Sequence, residues 1–186
     1  MRIIGGEKRG STIRTPRGQG TRPTTDRVRE AMFNIIAHGK DMPPLAGARV
    51  LDLFAGSGAL GLEALSRGAT FTLFVDTDTA ARAAMRDNLV RLGLQGRGKI
   101  WRRDATKMGR CTPMKPFDIV FLDPPYGHGL ARQALASLAE GGWLVPGALA
   151  VVEESARSPF TPPQGFSLLD ERSYGDTVVR FLRCLS

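Results

Sequence analysis

The sequence predicts an α/β fold: a doubly wound, mostly parallel sheet with an antiparallel edge. Three observations carry this. Short runs rich in Val, Ile, Leu and Phe alternate with helical patterns, as five strand–helix units. A glycine-rich turn joins the first run to its helix. The last stretch changes to strand, turn, strand, which places antiparallel strands at one edge.

Each element has a local reason. Residues 1–15 hold two short β-prone pieces around Gly5-Gly6-Glu7-Lys8-Arg9-Gly10, the pattern of a hairpin. A lone hairpin is marginal in water, so this arm either lies on the main domain or orders on a partner. Pro16 to Pro23 reads as a loop without an apolar anchor. Thr24-Thr25-Asp26 starts a helix whose apolar face is Ala31, Met32, Phe33, Ile35 and Ile36. Arg27, Arg29 and Glu30 fall mainly on its other faces. Residues 38–48 read as a linker, which divides the chain into a basic extension, 1–40, and a main domain, 41–186.

Arg49 to Leu53 is a strand, Phe54-Ala55-Gly56-Ser57-Gly58 a turn, and Ala59 to Arg67 a helix stopped by Gly68. Phe71 to Asp76 is the second strand. Residues 78–92 form a helix with Ala80, Ala81, Ala84, Leu89 and Leu92 inward, and Asp78 is placed to cap it. Lys99 to Trp101 is a short third strand. The fourth, Phe117 to Asp123, stops at two prolines, which cannot extend a sheet. A helix over 129–140 follows, then a fifth strand over 148–152 and a hairpin from Phe166 to Leu182.

Composition bounds the function. Of 186 residues 42% are hydrophobic, enough for the core of one domain. No run of about 18 apolar residues exists, so no membrane span is expected. Met1 to Gly5 turns polar too soon for a signal peptide. Cys111 and Cys184 lack metal or redox spacing and suit a reducing cytosol, so the expected location is cytoplasmic. His38 and His128 stand alone, and no metal is expected. The formal charge is +8, and residues 1–40 carry +6 of it through nine basic and three acidic side chains. Its carriers include Arg2, Lys8, Arg9, Arg14, Arg17, Arg22 and Arg27. A basic surface so localised points to a polyanion, ordinarily nucleic acid. The basic arm needs no dimer, so a monomer is expected.

Ligands of doubly wound sheets bind beyond the carboxyl ends of the strands. Four acids fall at such ends: Asp52, Asp76, Asp104 and Asp123. The spacing Gly56-x-Gly58-x-x-Gly61 fits a dinucleotide or S-adenosylmethionine. Asp76 suits either, because a carboxylate there can hold ribose hydroxyls. Asp52 favours S-adenosylmethionine: a carboxylate repels a pyrophosphate but attracts an ammonium or sulfonium group. The stretch Asp52-Leu53-Phe54-Ala55-Gly56-Ser57-Gly58 resembles the first motif of class I methyltransferases. Asp104 would then accept from the adenine amine, with the Ala105 N–H facing the ring; the alternative for Asp104 is a helix N-cap.

Asp123-Pro124-Pro125-Tyr126 sets a carboxylate, free backbone carbonyls and a ring at one sheet end. This set suits a planar amine, and it resembles the fourth motif of methyltransferases acting on exocyclic amines of bases. Such a nitrogen is a poor nucleophile until it pyramidalises. Asp123 and the Pro124 carbonyl can accept its two N–H bonds and stabilise the charge that grows on it. Tyr126 can stack on the base.

Nearly the whole chain resembles the bacterial small-subunit (16S) ribosomal RNA guanine-N2 methyltransferases, the RsmD family. The carriers are Met1-Arg2-Ile3-Ile4-Gly5-Gly6, the block Arg22 to Glu30, Leu51 to Ala64, Asp123 to Tyr126, and Tyr174-Gly175-Asp176-Thr177. The resemblance implies strand order 3-2-1-4-5-7-6, S-adenosylmethionine as donor and S-adenosylhomocysteine as product. It also implies methylation of one guanine N2 on a small ribosomal particle carrying ribosomal proteins, an RNA grip by the arm, and closure of the Thr24–Arg29 block over donor or base. One departure is Asp76, where many relatives carry Glu. Alternatives are adenine-N6 or cytosine-N4 methylation, a non-catalytic assembly factor, and a nicotinamide oxidoreductase; a protein-glutamine methyltransferase would ordinarily carry Asn at position 123.

Overall fold

The structure, a computed structural model of the chain, describes residues 1–17 and 24–186. Arg22, expected to touch RNA, lies outside these residues. Seven strands form one sheet: β1 (Arg49–Leu53), β2 (Phe71–Val75), β3 (Gly98–Trp101), β4 (Phe117–Leu122), β5 (Leu144–Ser155), β6 (Phe166–Tyr174) and β7 (Thr177–Cys184). Their order is β3-β2-β1-β4-β5-β7-β6. Strands β1 to β5 run parallel, while β7 is antiparallel to both β5 and β6. This is the expected doubly wound sheet with its antiparallel edge.

One face of the sheet packs under α1 (Asp26–His38), α2 (Ala59–Ser66) and α3 (Thr79–Leu92), the other under α4 (Leu130–Gly141). Helix α1 starts as its sequence demands. The Thr25 side chain accepts from the Val28 N–H at 3.3 Å. Met32, Phe33 and Ile36 are buried, with Phe33 5.4 Å from Phe121 of β4. Helix α3 is capped by Asp78, which accepts from Ala81 N at 2.7 Å, and it ends at left-handed Gly93.

Four local expectations are corrected. Residues 102–116 between β3 and β4 form a loop rather than a helix; Gly109, Pro113 and Pro116 do not sustain one. Within α3, Met85 faces inward and Ala80 is exposed. Strand β5 runs on to Ser155, because β7 pairs Glu153, Glu154 and Ser155 with Val179, Val178 and Thr177. The charge of Glu154 is met there by Arg180 at 3.1 Å. Finally, Arg29 is fully buried, although its neighbours Arg27 and Glu30 are exposed.

Arg29 is explained by the arm. It donates to the Arg2 carbonyl and pairs with Asp26 at 3.1 Å and Glu63 at 3.7 Å. Glu63, fully buried in α2, also accepts from Ile4 N (3.0 Å), Gly5 N (2.8 Å) and Arg67 Nε (2.9 Å). Glu63 is fully hydrogen-bonded, whereas Arg29 Nε and Nη1 make no hydrogen bond among the described residues, so the Arg29 charge is held by the two ion pairs and the Arg2 carbonyl. The arm itself has no regular strands, only a bridge between Arg2 and Thr12. It is held by Ile3 and Ile13, buried in the α1–α2–α3 core at about 1.5–3 kcal/mol each.

Candidate active site

The site lies beyond the carboxyl ends of the parallel strands. Its first half is built by β1 and β2. Asp52 is 1% exposed and accepts from Gly61 N at 2.9 Å. The approach of α2 to the sheet depends on Gly61: a Cβ there would lie 2.4 Å from the Phe74 ring and 2.8 Å from Thr72. Asp76 accepts from Gly56 N (2.8 Å) and Asp78 N (2.9 Å). The turn between them is sharp. Phe54, Gly56 and Gly58 all have positive φ (55°, 56° and 81°); for Phe54 this is a strained conformation of a kind that clusters at functional sites. Ala55 N donates to the Val75 carbonyl, and the Ser57 carbonyl accepts from buried Asn88 of α3 at 3.0 Å. No atom lies within 4 Å of where a Gly56 side chain would begin, so a ligand can reach this backbone.

The second half is built by β4 and β5. Leu122 pairs with Val152, so Asp123, just past the end of β4, and Glu153, still within β5, lie side by side. The start of α1 joins them. Thr24 lies against both carboxylates, 3.3 Å from Asp123 Oδ2 and in a short hydrogen bond with Glu153 Oε2. A single hydroxyl proton cannot serve two carboxylates at once. Pro124 is buried and Pro125 exposed. Tyr126 is 40% exposed, with its hydroxyl 3.4 Å from Thr177 Oγ1. Thr24, Arg27, Tyr126, Glu153, Tyr174 and Thr177 line a cavity of about 540 Å³.

The two halves feel each other electrostatically. Burial, and then the charge of Asp76, push the Asp52 carboxyl up to about 8, against the pull of the Gly61 N–H. Asp123 is raised well above the carboxylate range by burial and by Glu153, opposed by the Thr24 hydrogen bond, with a further rise from Asp52. Asp52, Asp76 and Asp123 are thus brought together around one strand-end crevice.

Asp104 is placed differently. Exposed, it accepts from Thr106 N (2.9 Å) and Thr106 Oγ1 (2.7 Å), which hold its carboxyl low. This is a local turn closed by a side chain, not the cap of a helix. Ala105 packs into the α4-side core. A more open groove of about 640 Å³ lies between this loop and α4. Exposed Lys107, Arg110, Gln133 and Glu140 line it without any strand-end carboxylate, so the β4–β5 cavity is the better candidate. The arm docks behind the β1–β2 half: Lys8 N donates to Ser66 Oγ, and Arg14 N and O both bond Asn88. Arg2, Arg9, Arg14, Arg17 and Arg27 are exposed, and Lys8 is half-buried. Among the described residues no cluster of His, Cys, Asp and Glu could hold a metal.

Thr24, Glu153, Tyr174 and Thr177 were missed as site residues. Glu153 had a usable signal: like Asp52, Asp76 and Asp123, it ends an apolar strand. Thr24 lies in the block that the resemblance expected to close over donor or base, and Tyr174 and Thr177 in a block quoted for the resemblance without a role; their approach to the two carboxylates depends on the tertiary fold.

The strand order, the glycine turn and the acids at parallel strand ends define a Rossmann-like methyltransferase fold. Comparison with known proteins narrows this. A family model described as conserved hypothetical protein 95 matches residues 1–183. Ribosomal RNA small subunit methyltransferase D of Escherichia coli K12 is 39% identical over 181 residues, 97% of this chain and 88% of that one. The protein of the same name from Haemophilus influenzae is 37% identical over 177 residues, 94% and 89% of the two chains. The solved structure of yhhF from Escherichia coli superposes with a TM-score of 0.83 at 38% identity, covering 100% of this chain and 98% of that one. The chain belongs to this family of small subunit methyltransferase D proteins, as its motifs indicated.

Proposed function

We propose that the protein transfers a methyl group from S-adenosylmethionine to the exocyclic N2 of one guanine in 16S ribosomal RNA, within a small-subunit particle in the cytoplasm, and that it acts as a monomer. The observation that carries this is the meeting of Asp52, Asp76 and Asp123 at adjoining strand ends, beside a cavity walled by Tyr126. The relatives that carry the ribosomal RNA name span nearly the whole chain.

The donor fits the first half of the site. The left-handed Gly56 leaves its backbone open, and a buried carboxylate at Asp52 suits a cation rather than a pyrophosphate. When bound, S-adenosylmethionine supplies an electrophilic methyl group. Asp76 would hold the ribose hydroxyls, the Phe54–Gly58 turn the methionine portion, and Asp104 with Ala105 the adenine.

The second half prepares the acceptor. Asp123 and the Pro124 carbonyl accept the two N–H bonds of the amine, while Tyr126 stacks on the ring and Pro125 stiffens the turn. The amine lone pair forms the new C–N bond, and the carbon–sulfur bond electrons stay on sulfur. Asp123 stabilises the positive charge on nitrogen and is placed to take the released proton. Arg2, Lys8, Arg9, Arg14, Arg17, Arg22 and Arg27 would grip the RNA backbone.

The decisive experiment maps modified nucleosides in small-subunit RNA from cells with and without the protein, beside labelled-donor assays on naked DNA, naked RNA and small-subunit particles. Loss of one N2-methylguanine, with methylation of particles or their RNA, is the expected result. A missing N6-methyladenine or N4-methylcytosine, or an unchanged map, would refute it.

A further inference from the structure

We propose that Glu153 reads the Watson–Crick edge of the target base and so restricts the reaction to guanine. This inference rests on the guanine-N2 reading above and goes beyond it by naming the residue that selects the base.

The placement comes first. Glu153 is 4% exposed, lies two residues before the end of β5 beside Asp123, and lines the cavity that Tyr126 also walls. The Thr24 hydroxyl contacts one oxygen of Glu153 and one of Asp123, so the two carboxylates sit within reach of a single small group. The chemistry comes second. Guanine is the common base with two adjacent donors on one edge, its N1–H and its N2 amine. With Asp123 accepting from N2, the neighbouring acceptor faces N1. Glu153 accepts the N1–H of guanine with a charge-assisted bond. Adenine presents a lone pair at N1 beside its own amine, and an ionised carboxylate repels it. A site built around such a bond rejects the analogue that cannot make it far more strongly than an apolar pocket rejects a change of shape.

The test uses a base that keeps the reacting 2-amine, lacks the N1 proton and carries a 6-amine in place of the 6-carbonyl; the Glu153 variants separate the N1 contribution from that second change. Small-subunit particles are reconstituted with RNA carrying either guanine or 2,6-diaminopurine at the methylated nucleotide, and kcat/KM is measured for the full-length protein and for Glu153→Gln. The unaltered protein should prefer guanine by at least about 100-fold. Glu153→Gln offers both an amide donor and an acceptor, and should narrow the preference to below about 10-fold while donor binding, followed by calorimetry, is kept. Glu153→Asp, which retains the charge, should keep the preference despite slower turnover. Equal use of both bases by the unaltered protein overturns the proposal, as does a Gln variant that slows both bases in the same proportion. If the unaltered protein methylates neither base at that position, the guanine-N2 reading itself has failed. That outcome is distinct from a lost preference.

Discussion

The two halves of the strand-end crevice are built in opposite ways. At β1 and β2 every carboxylate is tied to backbone close by in the chain: Asp52 to Gly61, and Asp76 to Gly56 and Asp78. At β4 and β5 the carboxylates are joined by Thr24, a hydroxyl 99 residues from Asp123 and 129 from Glu153. The first half is a finished, local structure. The second is closed only by packing between distant elements, and it keeps an open cavity of about 540 Å³. A donor of fixed shape suits a finished socket, whereas a base delivered on a large RNA suits an open mouth.

Substitutions can separate the halves. The largest effect is expected from Asp123→Ala, which should lower turnover by about 10²–10³-fold while donor affinity stays within about threefold. Single-turnover rates and calorimetry check this; a parallel loss of donor binding would mean the halves are not separable. Gly61→Ala should do the reverse. Its Cβ meets Phe74 at 2.4 Å, so α2 must shift, with a loss of about 1–3 kcal/mol in urea unfolding and weaker donor binding. Unchanged stability would show that α2 accommodates the methyl.

Thr24→Val removes the hydroxyl joining the two acids and should slow turnover about tenfold. Since the Thr24 hydrogen bond lowers the Asp123 carboxyl, its loss raises that group further, and the rising limb of the pH–rate profile moves to higher pH. An unmoved midpoint would remove Thr24 from the chemistry.

The smallest effect comes from pH alone. With Asp52 pushed up to about 8, binding a cationic donor beside it must release protons. Donor affinity should rise with pH and level off above about 8, by at most about tenfold per pH unit. For folding the sign reverses. The Asp52 carboxyl rises from an ordinary 3.8, so its contribution to stability is full below that value and is lost as pH climbs towards about 8. Calorimetry in buffers of different ionisation enthalpy counts the protons; none released would place the cation elsewhere.

The same contrast explains what could be read from the sequence. Asp52, Asp76 and Asp123 were legible because an apolar run ending in an acid is a local pattern. The sheet was legible too, apart from the 102–116 crossover, where five strand–helix units implied a helix to which no residues had been assigned. Glu153 was missed although it follows the apolar run 148–152 as Asp123 follows its own; what the sequence hid is that the fifth strand runs on past it. Its extension depends on pairing with β7, which no local pattern reports. Arg29 was misplaced because a charged helix residue ordinarily faces water. Only the folded arm supplies the Arg2 carbonyl and the Glu63 environment that bury it.

The docked arm also decides how its proposed contact with RNA can be tested. Clipping residues 1–15 would strip Glu63 of two amide partners, leave Asn88 facing an empty notch and uncover the sockets of Ile3 and Ile13. Asn88 also braces Ser57 in the glycine turn, so a shortened protein would be crippled for reasons unrelated to RNA. Reversing charge at Arg9, whose side chain reaches solvent, leaves that scaffold whole and isolates the electrostatic contribution, whereas Arg14 is unsuitable because it pairs with Asp87 of α3 at 2.6 Å.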